Sequence, residues 1–427
     1  MSAKILHLPV FLFIYNIFIR LYYVVIRISS AWNPKARLWW KGRENIFNRI
    51  KSSLQPDGRP VIWMHCASLG EFEQGRFLLE NIKIEYPLTR IVLTFFSPSG
   101  YEPMKNYKGA DHIFYLPLAT NAAAIKFLDL VNPILVLWIK YDYWYHYLHE
   151  IKKRKIPLLL ISAIFQKHYA FFRWYGSLYR EMLHCFTWLF VQTPESAARL
   201  NGIGFSGNIS INGDTRFDRV IDIAENFREI PAINSFCGNL PVIVAGSTWP
   251  DDEEELDHYA NTHSDIRFII APHEIDEEHL RGIEKLFKNA LRYSEWENKT
   301  GNEHGNTLII DNIGMLSRLY YYATIAYVGG GFGDDGVHNV LEAAVYGKPV
   351  VFGPVFNKFR EAIDLLEEGA ASTTDNTLDL EKIFDELLQQ EDNYRERAEA
   401  ARNYVYSRRG ATRNIMNYIQ ENRLLTN

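Results

Sequence analysis

The stretch GGGFGDDGVHNVLEAAVYGKPVVFGP, residues 329–354, decides how the rest of the chain is read. The preceding ATIAYVGG (323–330) is short, apolar and stopped by glycine, which is the pattern of a buried strand. VLEAAVYG (340–347) has helical spacing and ends at Gly347, and KPVVFGP (348–354) returns as a strand. The unit is strand, glycine-rich loop, helix, strand. Its loop, Gly336 included, is expected at the carboxyl end of a sheet, where backbone N–H groups and a helix N-terminus can face an anion such as phosphate. A plain tight turn between strand and helix fits the same pattern.

Upstream the rhythm repeats. RPVIWMHCAS (59–68), TRIVLTFFS (89–97), DHIFYLP (111–117), PILVLWI (133–139), IPLLLISAI (156–164) and WLFVQT (188–193) are apolar runs separated by helical segments, the signature of a parallel sheet covered on both faces. A second series follows: LPVIVAGST (240–248), IRFIIAPH (266–273), NTLIID (306–311), ATIAYVGG and KPVVFGP. The polar stretch between them predicts an interdomain linker at 223–240. The fold class is therefore α/β, with two doubly wound Rossmann-like domains, 46–222 and 241–405, a helical tail at 406–427 and a working site in the cleft between the domains.

With 427 residues, 47% hydrophobic and 23% charged, the chain can bury two cores. A net charge of −5 argues against a nucleic-acid partner. Cys66, Cys185 and Cys237 lie far apart with no CxxC pair, so they read as reduced thiols in a cytosolic compartment, with no metal site. Residues 1–45 stand apart. PVFLFIYNIFIRLYYVVIRISS (9–30) has the length of a membrane span, but Arg20 near its middle would cost about 3 kcal/mol there. Lying in the interface is easier, with Tyr15, Tyr22, Tyr23, Trp32, Trp39 and Trp40 at headgroup level and Arg20, Arg27, Lys35, Arg37, Lys41 and Arg43 toward an anionic leaflet. The alternative is a helix buried in the first domain.

The second series carries groups suited to a nucleotide at its strand ends. Gly246, Ser247 and Thr248 follow one strand, His273 the next, Asp311 a third, and the opening loop adds His338, Asn339 and Glu342. Hydroxyls and N–H groups there can bind phosphate oxygens, and a carboxylate one turn into a helix can accept from a diol.

Taken together, the segments resemble the Kdo (3-deoxy-D-manno-octulosonic acid) transferases, GT-B glycosyltransferases of lipopolysaccharide synthesis. HCASLGEFEQGRFLLENIK resembles the family's strand, SxGE turn and helix, and INGDTRFD its TGNxKFD segment. VAGSTWPDDEEEL resembles GSTHxGEE, and GVHNVLEAAVYGKPVVFGPVFNKF resembles GGHNxLEPAxxGKPVxxGPxxxNF. The resemblance implies CMP-Kdo as donor, a lipid A precursor (lipid IVA) as acceptor, and a place on the cytoplasmic side of the inner membrane. It also implies an inverting reaction with Glu71 as general base, without a cofactor or metal. Arg216 would meet the donor's phosphate or carboxylate, or else form an interdomain ion pair; Gly314 and Met315 would pack against cytosine.

Some positions depart from the family. KYDYWYH stands where the family has ExELWPN, so Lys140 replaces one acid and Asp142 shortens the other, and SAIFQKHYAFFRWYG replaces NARxSxRS. These changes point to a remodelled acceptor pocket. The rival readings are a GT-B transferase using a UDP-sugar and a non-catalytic membrane-bound nucleotide-binding protein.

Overall fold

A computed structural model describes residues 3–55, 57–297 and 305–425. The chain divides into two units, Met1–Arg216 with Gly410–Asn427, and Phe217–Arg409. The first is built on β1 (Val61–Cys66), β2 (Arg90–Phe95), β3 (His112–Tyr115), β4 (Pro133–Ile139), β5 (Leu158–Ala163), β6 (Trp188–Val191) and β7 (Ile209–Ile211). They form one parallel sheet in the order β3-β2-β1-β4-β5-β6-β7. The second holds β8 (Val242–Thr248), β9 (Arg267–Pro272), β10 (Ala290–Arg292), β11 (Thr307–Ile309), β12 (Ile325–Val328), β13 (Val350–Phe352) and β14 (Ala371–Thr373), parallel in the order β10-β11-β9-β8-β12-β13-β14.

Both sheets are buried on both faces, which is why their strands read as continuous apolar runs. Along β1, Val61 and Trp63 enter one core layer while Ile62, Met64 and Cys66 enter the other. Along β8, Val242 and Val244 face one layer, Ile243 and Ala245 the opposite one. In each unit the strand order switches direction beside the first strand, between β1 and β4 and between β8 and β12, and such switch points open a crevice at the carboxyl edge.

The contacts place the division differently from the boundaries read in sequence. Phe217, Val220 and Ile221, and then Ile233, Phe236 and Cys237 of the helix Pro231–Cys237, are buried in the second unit's core, so 223–240 is part of that unit. The chain changes unit again at 409/410. The helix Ala411–Glu421 buries Ile415, Met416 and Ile419 in the layer that holds Ile62 and Met64, and Asn212 donates to the Ala411 carbonyl at 2.7 Å. Three such side chains contribute about 5 to 9 kcal/mol of apolar burial, which keeps the tail on the first unit.

The N-terminal helix, Ala3–Ser29, is neither free nor engulfed. One flank packs on the first unit: Ile19 is buried, the Tyr145 N–H donates to the Tyr15 hydroxyl at 3.2 Å, and Asn16 Oδ1 lies 2.6 Å from His146 Nε2. The other flank exposes Val10, Phe13, Ile14, Ile17, Phe18, Leu21, Val24, Val25 and Ile28. Two residues expected at the headgroup level are interior instead. Trp39 is 3% exposed, and the Arg43 guanidinium lies 3.7 Å from its ring, donating to the carbonyls of Leu116 and Phe96.

The glycines of the opening stretch serve close backbone approach. A Cβ on Gly329 would meet the Ser247 carbonyl oxygen and come within 2.7 Å of Thr248 Cα, and one on Gly331 would meet Gly353 N at 2.5 Å. At Gly333 the nearest atom would be 3.7 Å away. Gly329→Ala and Gly331→Ala are therefore expected to destabilise the second unit by roughly 1 to 3 kcal/mol each, about 2 to 4 °C of melting temperature per kcal/mol, while Gly333→Ala is near neutral. Calorimetric melting of the three variants checks this; equal melting of all three would contradict it.

Candidate active site

In the first unit the helix Leu69–Glu85 starts directly after β1, with Ser68 as its N-cap. Its third residue is Glu71. The carboxylate bridges the crevice edge: Oε2 accepts from the Ala67 N–H beyond β1, and Oε1 from the Tyr141 N–H beyond β4 at 3.4 Å. Glu71 is 7% exposed. A first-turn carboxylate is expected to favour its charged form, yet burial and then the negative charge of Asp142 push Glu71 up to about 7, outweighing the two N–H groups and Lys140. A carboxyl group near 7 can give up or take a proton at neutral pH.

Around it stand the two residues that depart from the family pattern. Lys140, directly after β4, adopts a left-handed backbone (φ 52°), a strain of about 1 to 2 kcal/mol for a side chain with a Cβ. It is 7% exposed, and burial lowers its ammonium to about 8 against the raising charge of Asp214. Asp142 accepts from Trp144 Nε1 at 3.2 Å and lies 3.8 Å from His65 Nε2. Arg216 pairs with its own neighbour: it donates twice to Asp214 Oδ2, at 2.7 and 2.9 Å, and Asp214 also accepts from Gln192.

In the second unit the sequence-predicted residues gather at the β8/β12 crevice. Ser247 is half-buried with φ 56°, another strained position at a strand end. The rings of Trp249, His273 and His338 stack in turn, 4.8 and 4.4 Å between centroids. Trp249 Nε1 donates to His338 Nε2 at 3.1 Å, which leaves the imidazole proton on Nδ1, and burial lowers His338 to about 4, so the ring is neutral at physiological pH. Exposed Asn339 donates from Nδ2 to Glu342 Oε1 at 3.1 Å. Burial raises the Glu342 carboxyl, and the charge of Arg219 offsets part of that rise.

Other expected ligands are occupied within the fold. Thr248 is fully buried and donates to Glu253 Oε1 at 2.8 Å; Asp311 accepts from the Ser294 N–H; Met315 is 8% exposed in the core, and Gly314 makes the exposed turn before it. Gly246 lies against Tyr320. The loop amides expected to face an anion are engaged too: Gly329 donates to the Gly246 carbonyl, Gly330 to Asp252 Oδ2 and Gly336, itself buried, to the Gly333 carbonyl. Sequence reasoning missed Arg219, three residues after Arg216 on the same helix, Asp252, which binds the loop, and His65, whose Nε2 points toward Asp142. The DDEEE run at 251–255 held the signal for Asp252, but its five acids look alike in sequence.

Two doubly wound parallel sheets, each with its polar groups gathered at the order reversal, define a GT-B-type α/β protein. Among solved structures, the UDP-GlcNAc 2-epimerase of Neisseria meningitidis shares this fold, with a TM-score of 0.59 and 15% identity over 84% of this chain and 100% of that chain. A narrower likeness comes from sequence: residues 40–219 match the model of the 3-deoxy-D-manno-octulosonic-acid transferases (kdotransferases). The 3-deoxy-D-manno-octulosonic acid transferase of Aquifex aeolicus is 28% identical over 348 residues, 79% of this chain and 88% of the relative. That of Haemophilus influenzae is 25% identical over 412 residues, 92% and 94% of the two chains.

The raised Glu71 value has a stability consequence. The folded protein holds this proton more tightly than the unfolded chain, so the stability tied to Glu71 is fully present below about pH 4.5 and is lost as pH rises through about 7. The difference is worth about 3 kcal/mol. Glu71→Gln stays neutral and is expected to melt several degrees above wild type at pH 8 but not at pH 4.5. Thermal unfolding at the two pH values measures this, and an equal gain at both would refute the assignment.

Proposed function

We propose that the protein is an inverting glycosyltransferase that moves Kdo from CMP-Kdo to a lipid A precursor, lipid IVA, in lipopolysaccharide synthesis. The match to the Kdo transferase family model and the likeness to its members support the reaction class, and the observation that carries the mechanism is Glu71. Held between two strand ends with a value near 7, it takes the proton of an acceptor hydroxyl as that oxygen attacks the anomeric carbon. The new C–O bond forms as the bond from the anomeric carbon to the CMP phosphate breaks on the opposite face, which inverts the centre.

CMP is assigned to the second unit. Glu342 suits the ribose hydroxyls, with Asn339 fixing its carboxylate. Ser247, exposed His273 and the Nδ1–H of His338 are left for the phosphate, since Thr248 and several loop amides are engaged elsewhere. In this reading neutral donors, not a divalent metal, meet the charge of departing CMP.

The chain is further assigned to the cytoplasmic face of the inner membrane. The exposed flank of the N-terminal helix supplies the apolar surface, and exposed Arg20, Arg27, Lys35, Arg37 and Lys41 supply charge toward anionic headgroups.

The test is transfer from CMP-Kdo to a tetraacylated lipid A precursor, read by product mass. Wild type is expected to add Kdo, and Glu71→Gln to lose about 10²- to 10⁴-fold in turnover while calorimetry finds CMP affinity nearly unchanged. Turnover of a UDP-sugar in place of CMP-Kdo would overturn the donor assignment.

Removing residues 1–30 would also remove Ile19 and the Tyr15 and Asn16 contacts from the first unit, so surface substitution is the cleaner membrane test. The triple variant Phe13→Glu, Phe18→Glu, Leu21→Glu is expected to keep its melting temperature and to co-sediment much less with anionic vesicles. Undiminished co-sedimentation would exclude this flank as the contact.

A further inference from the structure

Lys140 is a buried cation without an anion. Its side chain is more than nine-tenths buried, and among the described residues its ammonium makes no hydrogen bond and no ion pair within 4.0 Å; it lies 5.2 Å from the centre of the Tyr141 ring. The charges that reach it are those of Asp214, Arg216 and Glu71. Asp214 is already bound to Arg216 and Gln192, and Glu71 to two backbone N–H groups. Lysines buried for structural reasons are paired.

The backbone holds the residue in place. The Lys140 N–H donates to the Ile161 carbonyl of β5 at 3.2 Å and the next N–H donates to Glu71, so the left-handed turn at Lys140 is fixed on both sides. This turn stands at the β1/β4 crevice, where ligands of such sheets bind. A strained, unpartnered, buried ammonium beside a candidate base is an anion site awaiting its anion.

We infer that Lys140 binds the carboxylate of a sugar acid seated beside Glu71. Charge chooses the class. Glu71, Asp142 and Asp214 against Lys140 and Arg216 leave the crevice neutral to slightly negative, which admits a monoanion and opposes a phosphate dianion. A single ammonium, with the neighbouring guanidinium already engaged, also lacks the fork or cluster of N–H groups that grips phosphate. The carboxylate belongs either to the donor sugar or to a sugar acid already on the acceptor. That the occupant is a sugar rests on the proposed transfer; that it is a monoanion does not.

Two experiments on the full chain separate these points. In the first, saturation-transfer NMR compares free Kdo with its methyl ester. Wild type is expected to prefer the acid at least 10-fold, Lys140→Met to lose the preference, and Lys140→Arg to restore part of it; no preference in wild type, or the same preference in Lys140→Met, overturns the subsite. Thermal melting of each variant confirms folding, and Lys140→Gln replaces Lys140→Met where the latter does not fold.

In the second, KM is measured for CMP-Kdo and for acceptors with and without one sugar acid. Lys140→Met is expected to raise one KM about 10- to 100-fold, with a smaller change in kcat. A rise for CMP-Kdo assigns the carboxylate to the donor, and a rise confined to the acid-bearing acceptor assigns it to the acceptor. Unchanged values, or equal rises that include the acid-free acceptor, overturn the inference. Wild type that binds free Kdo through Lys140 yet transfers nothing would remove the proposed transfer and leave the subsite standing.

Discussion

The structure depends on how buried parallel strands end. A ladder satisfies N–H and C=O groups only where strands run side by side, and at an order reversal the chains leaving two neighbours depart to opposite faces. The N–H groups just beyond the strands must then find other acceptors or cost about 1 to 3 kcal/mol each. In the first unit Glu71 accepts from Ala67 beyond β1 and Tyr141 beyond β4. In the second, Asp252 accepts from Gly330 beyond β12 and from Trp249 beyond β8. The same structural problem thus receives the same kind of answer twice.

The two carboxylates nevertheless differ in what is left over. Asp252 has a third donor, the Tyr327 hydroxyl at 2.8 Å, and is fully buried, so its oxygens are committed to holding the glycine loop. Glu71 has two donors, one of them long at 3.4 Å, and faces the charge of Asp142. Burial raises both carboxyls, and each has a like-charged neighbour, Asp142 for Glu71 and Asp251 for Asp252. The difference is the fewer hydrogen bonds to Glu71, which favour its protonated form. The stability lost by holding Glu71 this way is what leaves it able to exchange a proton near neutrality, whereas Asp252 is a fixed part of the scaffold.

Much of this was legible in the sequence because it rests on local pattern. The main strands announce themselves by apolar runs, and SLGE by a capping serine three residues before a glutamate. Five of the described strands have only three residues; β11 and β13 sit in the apolar runs NTLIID and KPVVFGP that reveal them, whereas β7, β10 and β14 have no such run around them. At the site, identity was legible and partnership was not. Thr248, Met315 and Arg216 are the right residue types at the right strand ends, yet their partners Glu253, the core and Asp214 decide what each can do. Arg43 shows the same limit from the other side: as one cation in a basic run it reads as surface charge, but three aromatic rings and backbone carbonyls hold it inside.

The N-terminal helix shows how packing changes the meaning of hydropathy. Its apolar window, Pro9–Ser29, is long enough to span a bilayer. A spanning helix would meet lipid all round, whereas here the flank carrying Tyr15, Ile19 and Tyr22 is taken by the first unit. What remains is a stripe at spacings of three and four residues, from Val10 to Ile28. Arg20 and Arg27 fall seven and fourteen residues after Phe13, so they share its edge of the stripe and can extend sideways instead of pointing into hydrocarbon. Arg20, which argues against a helix crossing the bilayer, is therefore compatible with one lying along its surface.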